Sequence, residues 1–191
     1  MFYENKIKVI DRTAIITPDR EISYAEMMTN IRKYAQYVSL EKGAKTIVFA
    51  ENCVEWIYSF FSIWQNRGIA IPVDASSTAD DVAYIMADAQ PDAIWVTAQT
   101  EKVASEAIKK AGVKTALLRM DDLSGLRSHA ETKEDGVSFE DSDIAVILYT
   151  SGTTGSPKGV MLTFKNLMVN INAISCKEVP IFNKEIGRAH V

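Results

Sequence analysis

The run Tyr149-Thr150-Ser151-Gly152-Thr153-Thr154-Gly155-Ser156-Pro157-Lys158-Gly159-Val160 follows directly on the apolar stretch 144–148. Hydroxyls, glycines and one lysine in such density suit a phosphate cradle. Glycines leave the main chain bare so that its N–H groups can approach an anion; hydroxyls donate further hydrogen bonds, and lysine adds a mobile positive charge. The common P-loop is excluded by spacing. Its G-x-x-x-x-G-K-S/T pattern follows the lysine with a hydroxyl residue, whereas Lys158 follows Pro157 and precedes Gly159. The chemistry indicated is nucleotide handling of a different kind.

Positioning such a loop requires a rigid frame, and strand-like and helix-like patterns alternate along the chain. β-Branched or apolar runs at 14–17, 46–50, 69–73, 93–96, 115–118, 144–149 and 160–162 predict strands. Ser23-x-x-Glu26 predicts a capping box opening a helix with Tyr24, Met27, Ile31, Tyr34 or Ala35, and Val38 on one face, Gly43 lying just past its end. Asn52-x-x-Glu55 predicts a second helix start, and the helix over 53–66 is so apolar (Trp56, Ile57, Phe60, Phe61, Ile63, Trp64) that cover on most sides is expected, with Gly68 as its stop. Further helices are expected over 78–88, closed by Pro91, over 101–111, stopped by Gly112, and from a Thr163 cap through Ser175. Residues 121–143 are polar, acidic and patternless and predict a surface connection. The fold class that follows is α/β, with βαβ units forming a largely parallel sheet flanked by helices. Ligands of such sheets sit outside the carboxyl ends of the strands, where 150–159 falls.

The 191 residues are 47% hydrophobic and 24% charged, enough apolar material for one substantial core. A net charge of −4 gives no sign of nucleic-acid or anionic-membrane binding. The longest uncharged aromatic-rich run, 56–66, is too short to span a bilayer, and no apolar signal-peptide core is visible at the start. Cys53 and Cys176 make no disulfide framework, and no Cys/His cluster has metal-ligand spacing. A cytoplasmic location is expected by default, and peripheral membrane association of the full protein is compatible with it.

The loop resembles the signature of the adenylate-forming superfamily, which comprises acyl-CoA synthetases, peptide-synthetase adenylation domains and luciferases. That signature, Tyr/Thr-Ser/Thr-Ser-Gly-Ser/Thr-Thr-Gly-x-Pro-Lys-Gly-Val, is met at every position from Tyr149 to Val160. Weaker similarity lies in Ser23-Tyr24-Ala25-Glu26 and in Gly68-Ile69-Ala70-Ile71-Pro72-Val73-Asp74. The resemblance implies that residues 1–185 are the incomplete N-terminal part of the large, AMP-binding domain of an acyl-activating enzyme. It further implies ATP as substrate, Mg2+, a small-molecule carboxylic acid (a fatty acid for the acyl-CoA synthetases) and coenzyme A as acceptor. Thr150, Ser151, Gly152, Thr153, Thr154, Gly155, Lys158 and Gly159 would bind the phosphates, Lys158 and Thr150 would act in catalysis, and Thr150 would also touch the metal. One departure is Phe164, where many acyl-CoA synthetases carry His in a Leu-Thr-His-x-Asn segment.

The family's later magnesium-binding glutamate, ribose-binding aspartate, hinge and C-terminal lysine fall outside this sequence, so the chain by itself is expected to be inactive. The alternatives are an amino-acid-adenylating domain of a peptide synthetase and a non-catalytic nucleotide-binding module. Asp74 could be an acid catalyst, but a loop-starting or helix-capping aspartate is the simpler reading, as core packing is for the Trp56, Phe60, Phe61 and Trp64 rings. Residues Ile186-Gly187-Arg188-Ala189-His190-Val191 match the translation ATC GGA AGA GCA CAC GTC of a common short-read sequencing adaptor. Residues 186–191 are therefore expected to be a non-native tail.

Overall fold

The computed structural model describes residues 12–38, 41–124, 139–150 and 157–174, and the backbone of 189–190. It opens with a small antiparallel pair, β1 (Thr13–Ile16) and β2 (Glu21–Ser23). Ser23 then caps α1 (Tyr24–Ala35), its side chain accepting the Glu26 N–H at 3.1 Å. Only half of the expected capping box forms, because the Glu26 carboxylate turns to Arg20 at 3.1 Å. Met27, Met28, Ile31, Tyr34, Ala35 and Val38 are buried as the periodicity requires. Gly43 does not end this helix; at φ 84° it makes the turn into the next strand, its N–H donating to the Arg67 carbonyl.

The central sheet alternates with helices: β3 (Lys45–Ala50), α2 (Val54–Gln65), β4 (Ile69–Asp74), α3 (Ala79–Ala89), β5 (Ala93–Val96), α4 (Glu101–Ala111) and β6 (Ala116–Arg119). After the connection come β7 (Ile144–Thr150), β8 (Lys158–Thr163) and α5 (Phe164–Ile174). Among the described residues the strand order is β6-β5-β3-β4-β7-β8, parallel throughout except for β8, which returns antiparallel along the edge. The Ala189–His190 backbone, β9, lies parallel to β1.

Alternation along the strands divides the core into two layers. On β3, Val48 and Ala50 face α1 and α2, while Ile47 and Phe49 face α3 and α4. Burial on both faces explains why these strands read as continuous apolar runs. The chain leaves β3 toward one face and β4 toward the other, so the connections diverge at the carboxyl ends of adjacent strands.

Helix ends account for much of the local precision. Asn52 does not cap α2; Cys53 occupies the cap without a side-chain bond. At the other end Arg67 adopts φ 60°, its N–H donating to Trp64 O, while the Gly68 N–H reaches back to Ile63 O, both at 2.9 Å. This is a Schellman closure with arginine in the left-handed position. Glycine is needed one residue later, where a Cβ would lie 2.9 Å from Ile63 Cγ2 and 3.0 Å from Ala44 O. The Asn66 amide donates to Ala35 O and Val38 O, tying the ends of α1 and α2 together.

α2 is covered on most sides as expected, none of its residues being exposed. Ser59 and Ser62 are fully buried, while Trp56, Ile57, Phe60 and Phe61 are half-buried. The rings satisfy one another: Trp56 stacks on Phe60 at 5.1 Å, and Phe60 meets Trp64 edge-on at 4.9 Å. At the described ends of the 121–143 connection Leu123 and Phe139 pack on the core, while 125–138 lie outside the described residues.

Phe164 is 1% exposed, 5.2 Å from the Trp64 ring and 4.0 Å from the Phe139 ring. It anchors the start of α5, where Thr163 and Asn166 exchange cap hydrogen bonds. Phe164→Ala should therefore lower the urea-unfolding free energy by roughly 3–5 kcal/mol, the cost of an aromatic cavity.

Candidate active site: the hairpin at the sheet edge

Because β7 is parallel to β4, its last residue, Thr150, stands at the carboxyl edge of the sheet. β7 and β8 pair in the register Ile147↔Met161, Leu148↔Val160, Tyr149↔Gly159 and Thr150↔Lys158. Directly opposed residues of an antiparallel pair share a face. Thr150 and Lys158, both exposed, thus project from the same side of the hairpin as Leu148 and Val160. Tyr149, Gly159 and Ile147 occupy the opposite side, against α3. The structure brings Thr150, Lys158 and Gly159 together at the mouth of the turn. Ser151, Gly152, Thr153, Thr154 and Gly155 lie outside the described residues.

The mouth is built from both sides of the ladder. The Tyr149 hydroxyl donates to Asp88 Oδ2 at 2.5 Å. Burial, then the bond to Asp88 and its charge, push the phenol well above its ordinary range, so it remains a donor at physiological pH. Gly159 lies under the Tyr149 ring: a Cβ there would be 3.1 Å from Tyr149 Cζ and 3.0 Å from Ile147 Cγ2. Asp88 carries no sequence signal of its own, being 61 positions from its partner.

At the foot of the hairpin the Asp143 carbonyl accepts the Phe164 N–H at 3.0 Å. The Asp143 carboxylate takes Lys42 Nζ at 2.9 Å and the Glu140 N–H at 3.1 Å. Along the same carboxyl edge, Asp74 accepts the Ser76 N–H at 2.8 Å and its hydroxyl at 2.7 Å, which hold its carboxyl below the usual range. That is a turn-forming aspartate, ionised and occupied. The Thr97 hydroxyl donates to Glu51 at 2.8 Å, joining the ends of β5 and β3.

No group of three or more His, Cys, Asp or Glu able to hold a metal occurs among the described residues. Magnesium bound chiefly through phosphate oxygens asks only one or two protein ligands, and the exposed Thr150 hydroxyl fits one such place. No helix among the described residues is long and apolar enough to cross a membrane.

A mostly parallel sheet flanked by helices on both faces, with an antiparallel hairpin at one edge, defines an α/β domain. Residues 3–186 match the AMP-binding enzyme family, and the chain belongs to it. It is similar to tyrocidine synthase 1 of Brevibacillus parabrevis, 29% identical over 171 residues, covering 87% of this chain and 15% of that protein. It also resembles crotonobetaine/carnitine–CoA ligase of Salmonella paratyphi A, 28% identical over 179 residues and covering 82% and 34%. Among solved structures, ATP-bound MatB from Rhodopseudomonas palustris superposes with a TM-score of 0.74 at 25% identity, covering 91% of this chain and 37% of that one. MenE from Bacillus subtilis in complex with AMP shares the fold at TM-score 0.76 and 21% identity, covering 91% and 44%. The chain thus spans less than half the length of each of these proteins.

The Asp143 carboxyl is held below the ordinary carboxylate range by Lys42 first and the Glu140 N–H second. A depressed folded pKa contributes stability above the unfolded value, about 3.9, and loses it as pH falls through the folded one. Asp143→Asn should thus be less stable than wild type at neutral pH, by less than about 1 kcal/mol. Thermal unfolding across pH should show the two converging as pH falls through the lowered folded-state pKa.

Proposed function

We propose that the whole protein activates a carboxylic acid with ATP, forming an acyl-adenylate and pyrophosphate, and then passes the acyl group to coenzyme A. The observation that carries this reading is the Thr150↔Lys158 pair at the mouth of the β7–β8 hairpin, within a chain of the AMP-binding enzyme family. In the first step a carboxylate oxygen bonds to the α-phosphorus while the bond to the bridging oxygen breaks, and charge accumulates on the departing pyrophosphate. Catalysis is positioning and charge stabilisation. Lys158 neutralises the β- and γ-phosphates; Ser151, Thr153 and Thr154 donate hydroxyl and backbone hydrogen bonds, and Gly152, Gly155 and Gly159 let the backbone close in. Thr150 adds a hydroxyl on the same side as Lys158 and offers one ligand to magnesium, which supplies further neutralisation when bound. In the second step the CoA thiol attacks the acyl carbon and AMP leaves.

A fatty acid is the proposed substrate, on the likeness of Tyr149 to Leu162 and the following Thr163-x-Lys165-Asn166 to fatty-acyl ligases, from which Phe164 departs. A second reading, adenylation of an amino acid for a peptide synthetase, is favoured by the similarity to tyrocidine synthase 1 and to bacitracin synthase 2 of Bacillus licheniformis, 30% identical over 185 residues. Leu148, Val160, Met161, Val169 and Ile171 leave an apolar surface on the hairpin and α5 among the described residues. That surface suits cover by further polypeptide. We therefore expect turnover from the longer protein and none from these 191 residues alone.

Pyrophosphate release from the product of the uninterrupted gene, assayed with ATP, Mg2+ and panels of fatty and amino acids, tests the reading. Release with a fatty acid and formation of its CoA thioester are expected; release with an amino acid alone selects the second reading. Lys158→Ala should cut the rate roughly ten- to a hundredfold, the worth of a charge-assisted hydrogen bond of about 1.5–3 kcal/mol. An unchanged rate would remove Lys158 from the mechanism.

A further inference from the structure

Among the described residues β8 lies at the sheet edge with β7 as its ladder partner, and Val160 and Met161 are 46% and 61% exposed. Ladder bonds alone hold an edge strand loosely, and the turn beyond Thr150 gains from whatever fixes its two stems. Three residues do this on the face away from Lys158. The Tyr149 ring lies across Gly159, its own cross-strand partner, where a Cβ would meet it at 3.1 Å, tighter than ordinary contact. Its hydroxyl ends on Asp88, in the last turn of α3.

The place of Asp88 is informative. A carboxylate in the final turn of a helix sits at the negative end of the macrodipole, and α3 has no basic residue in that turn. Asp88 is also exposed, so it contributes no apolar burial. Helix stability gives no reason for an acid there, whereas a short bond to the strand that feeds the turn does. The tyrosine is half-buried and keeps its proton, so the interaction is a neutral donor on an anionic acceptor, among the stronger hydrogen bonds available to side chains.

We infer that Tyr149 and Asp88 are positioning residues that clamp both stems of the hairpin to α3 through the bare backbone of Gly159, presenting Thr150 and Lys158 to a nucleoside triphosphate's phosphates at a fixed spacing. This rests on the adenylation reading above. Stems fixed in advance need no ordering when the phosphates bind, which reduces the entropy lost on binding. The clamp faces away from Thr150 and Lys158, so it acts on ATP through them and leaves the acid untouched.

The test uses the full-length enzyme and the variants Tyr149→Phe, Asp88→Ala, Asp88→Asn and Tyr149→Phe/Asp88→Ala. Tyr149→Phe and Asp88→Ala should each raise KM for ATP about three- to tenfold while KM for the acid stays constant. The double variant should be no worse than the worse single, because one bond is lost in all three. Asp88→Asn, which keeps a neutral carbonyl acceptor, should recover roughly half of the loss. A merely destabilised protein would instead lose active fraction, lowering apparent kcat with KM for ATP unchanged. Amide hydrogen exchange read over 158–163 should quicken roughly tenfold in Tyr149→Phe, with the α1–α2 side unaffected. Unchanged KM for ATP and unchanged exchange, or losses that multiply in the double variant, would overturn the clamp. Absence of pyrophosphate from the wild type would overturn the adenylation reading separately, and hairpin exchange in the same variants would still decide the clamp.

Discussion

The register between β7 and β8 is the constraint on which the site depends. Side chains alternate along a strand, so slipping β8 by one residue would send Lys158 toward α3 and set a side chain-bearing residue under the Tyr149 ring. The Lys158-bearing and helix-facing sides of the hairpin would exchange places. Two features pin the register, one at each end. At the mouth, Gly159 is the position where the Tyr149 ring can lie flat and still reach Asp88. At the foot, Phe164 is buried between Trp64 and Phe139 while its N–H is held by the Asp143 carbonyl. Between them the ladder tolerates an irregularity at Ile144/Val146.

The rest of the molecule supplies a rigid edge for that hairpin. Five parallel strands, each apolar on both faces, are sandwiched between α1 and α2 on one side and α3 and α4 on the other. α3 matters twice: its apolar face closes one core layer through Val82, Ile85 and Met86, and its last turn carries Asp88 to the hairpin. A single helix therefore links core packing to loop geometry. Trp64 does the same from the opposite layer, its Nε1–H donating to the Ala145 carbonyl of β7 at 2.8 Å and its ring meeting Phe164.

Much of this was legible in the amino-acid sequence, for identifiable reasons. Strands buried on both faces write themselves as uninterrupted Val/Ile/Ala runs, and Thr78 and Gly112 mark helix ends through local bonds; Thr78 and Asp81 form a full capping box, and Gly112 takes φ 64°. The signature from Tyr149 to Val160 pointed to the family that the match over residues 3–186 shows. Local signals failed where another residue already met the need. Asn52 was passed over for Cys53, and Arg67, rather than a glycine, took the left-handed position after α2. Phe164 read as a lost imidazole, yet its neighbours are aromatic rings separated from it in the chain, and it is a core residue. Asp88 was invisible because what defines it is a bond to a strand 61 positions away. No periodicity or motif encodes such a pairing.

The most direct measurement is a crystal structure of the full-length enzyme with ATP and magnesium. The account predicts the β- and γ-phosphates at the mouth of the β7–β8 hairpin, with Lys158 Nζ and the Thr150 hydroxyl on the phosphate side and Tyr149 still bonded to Asp88. Terminal phosphates seated on another edge of the sheet, or Lys158 turned toward α3, would contradict it.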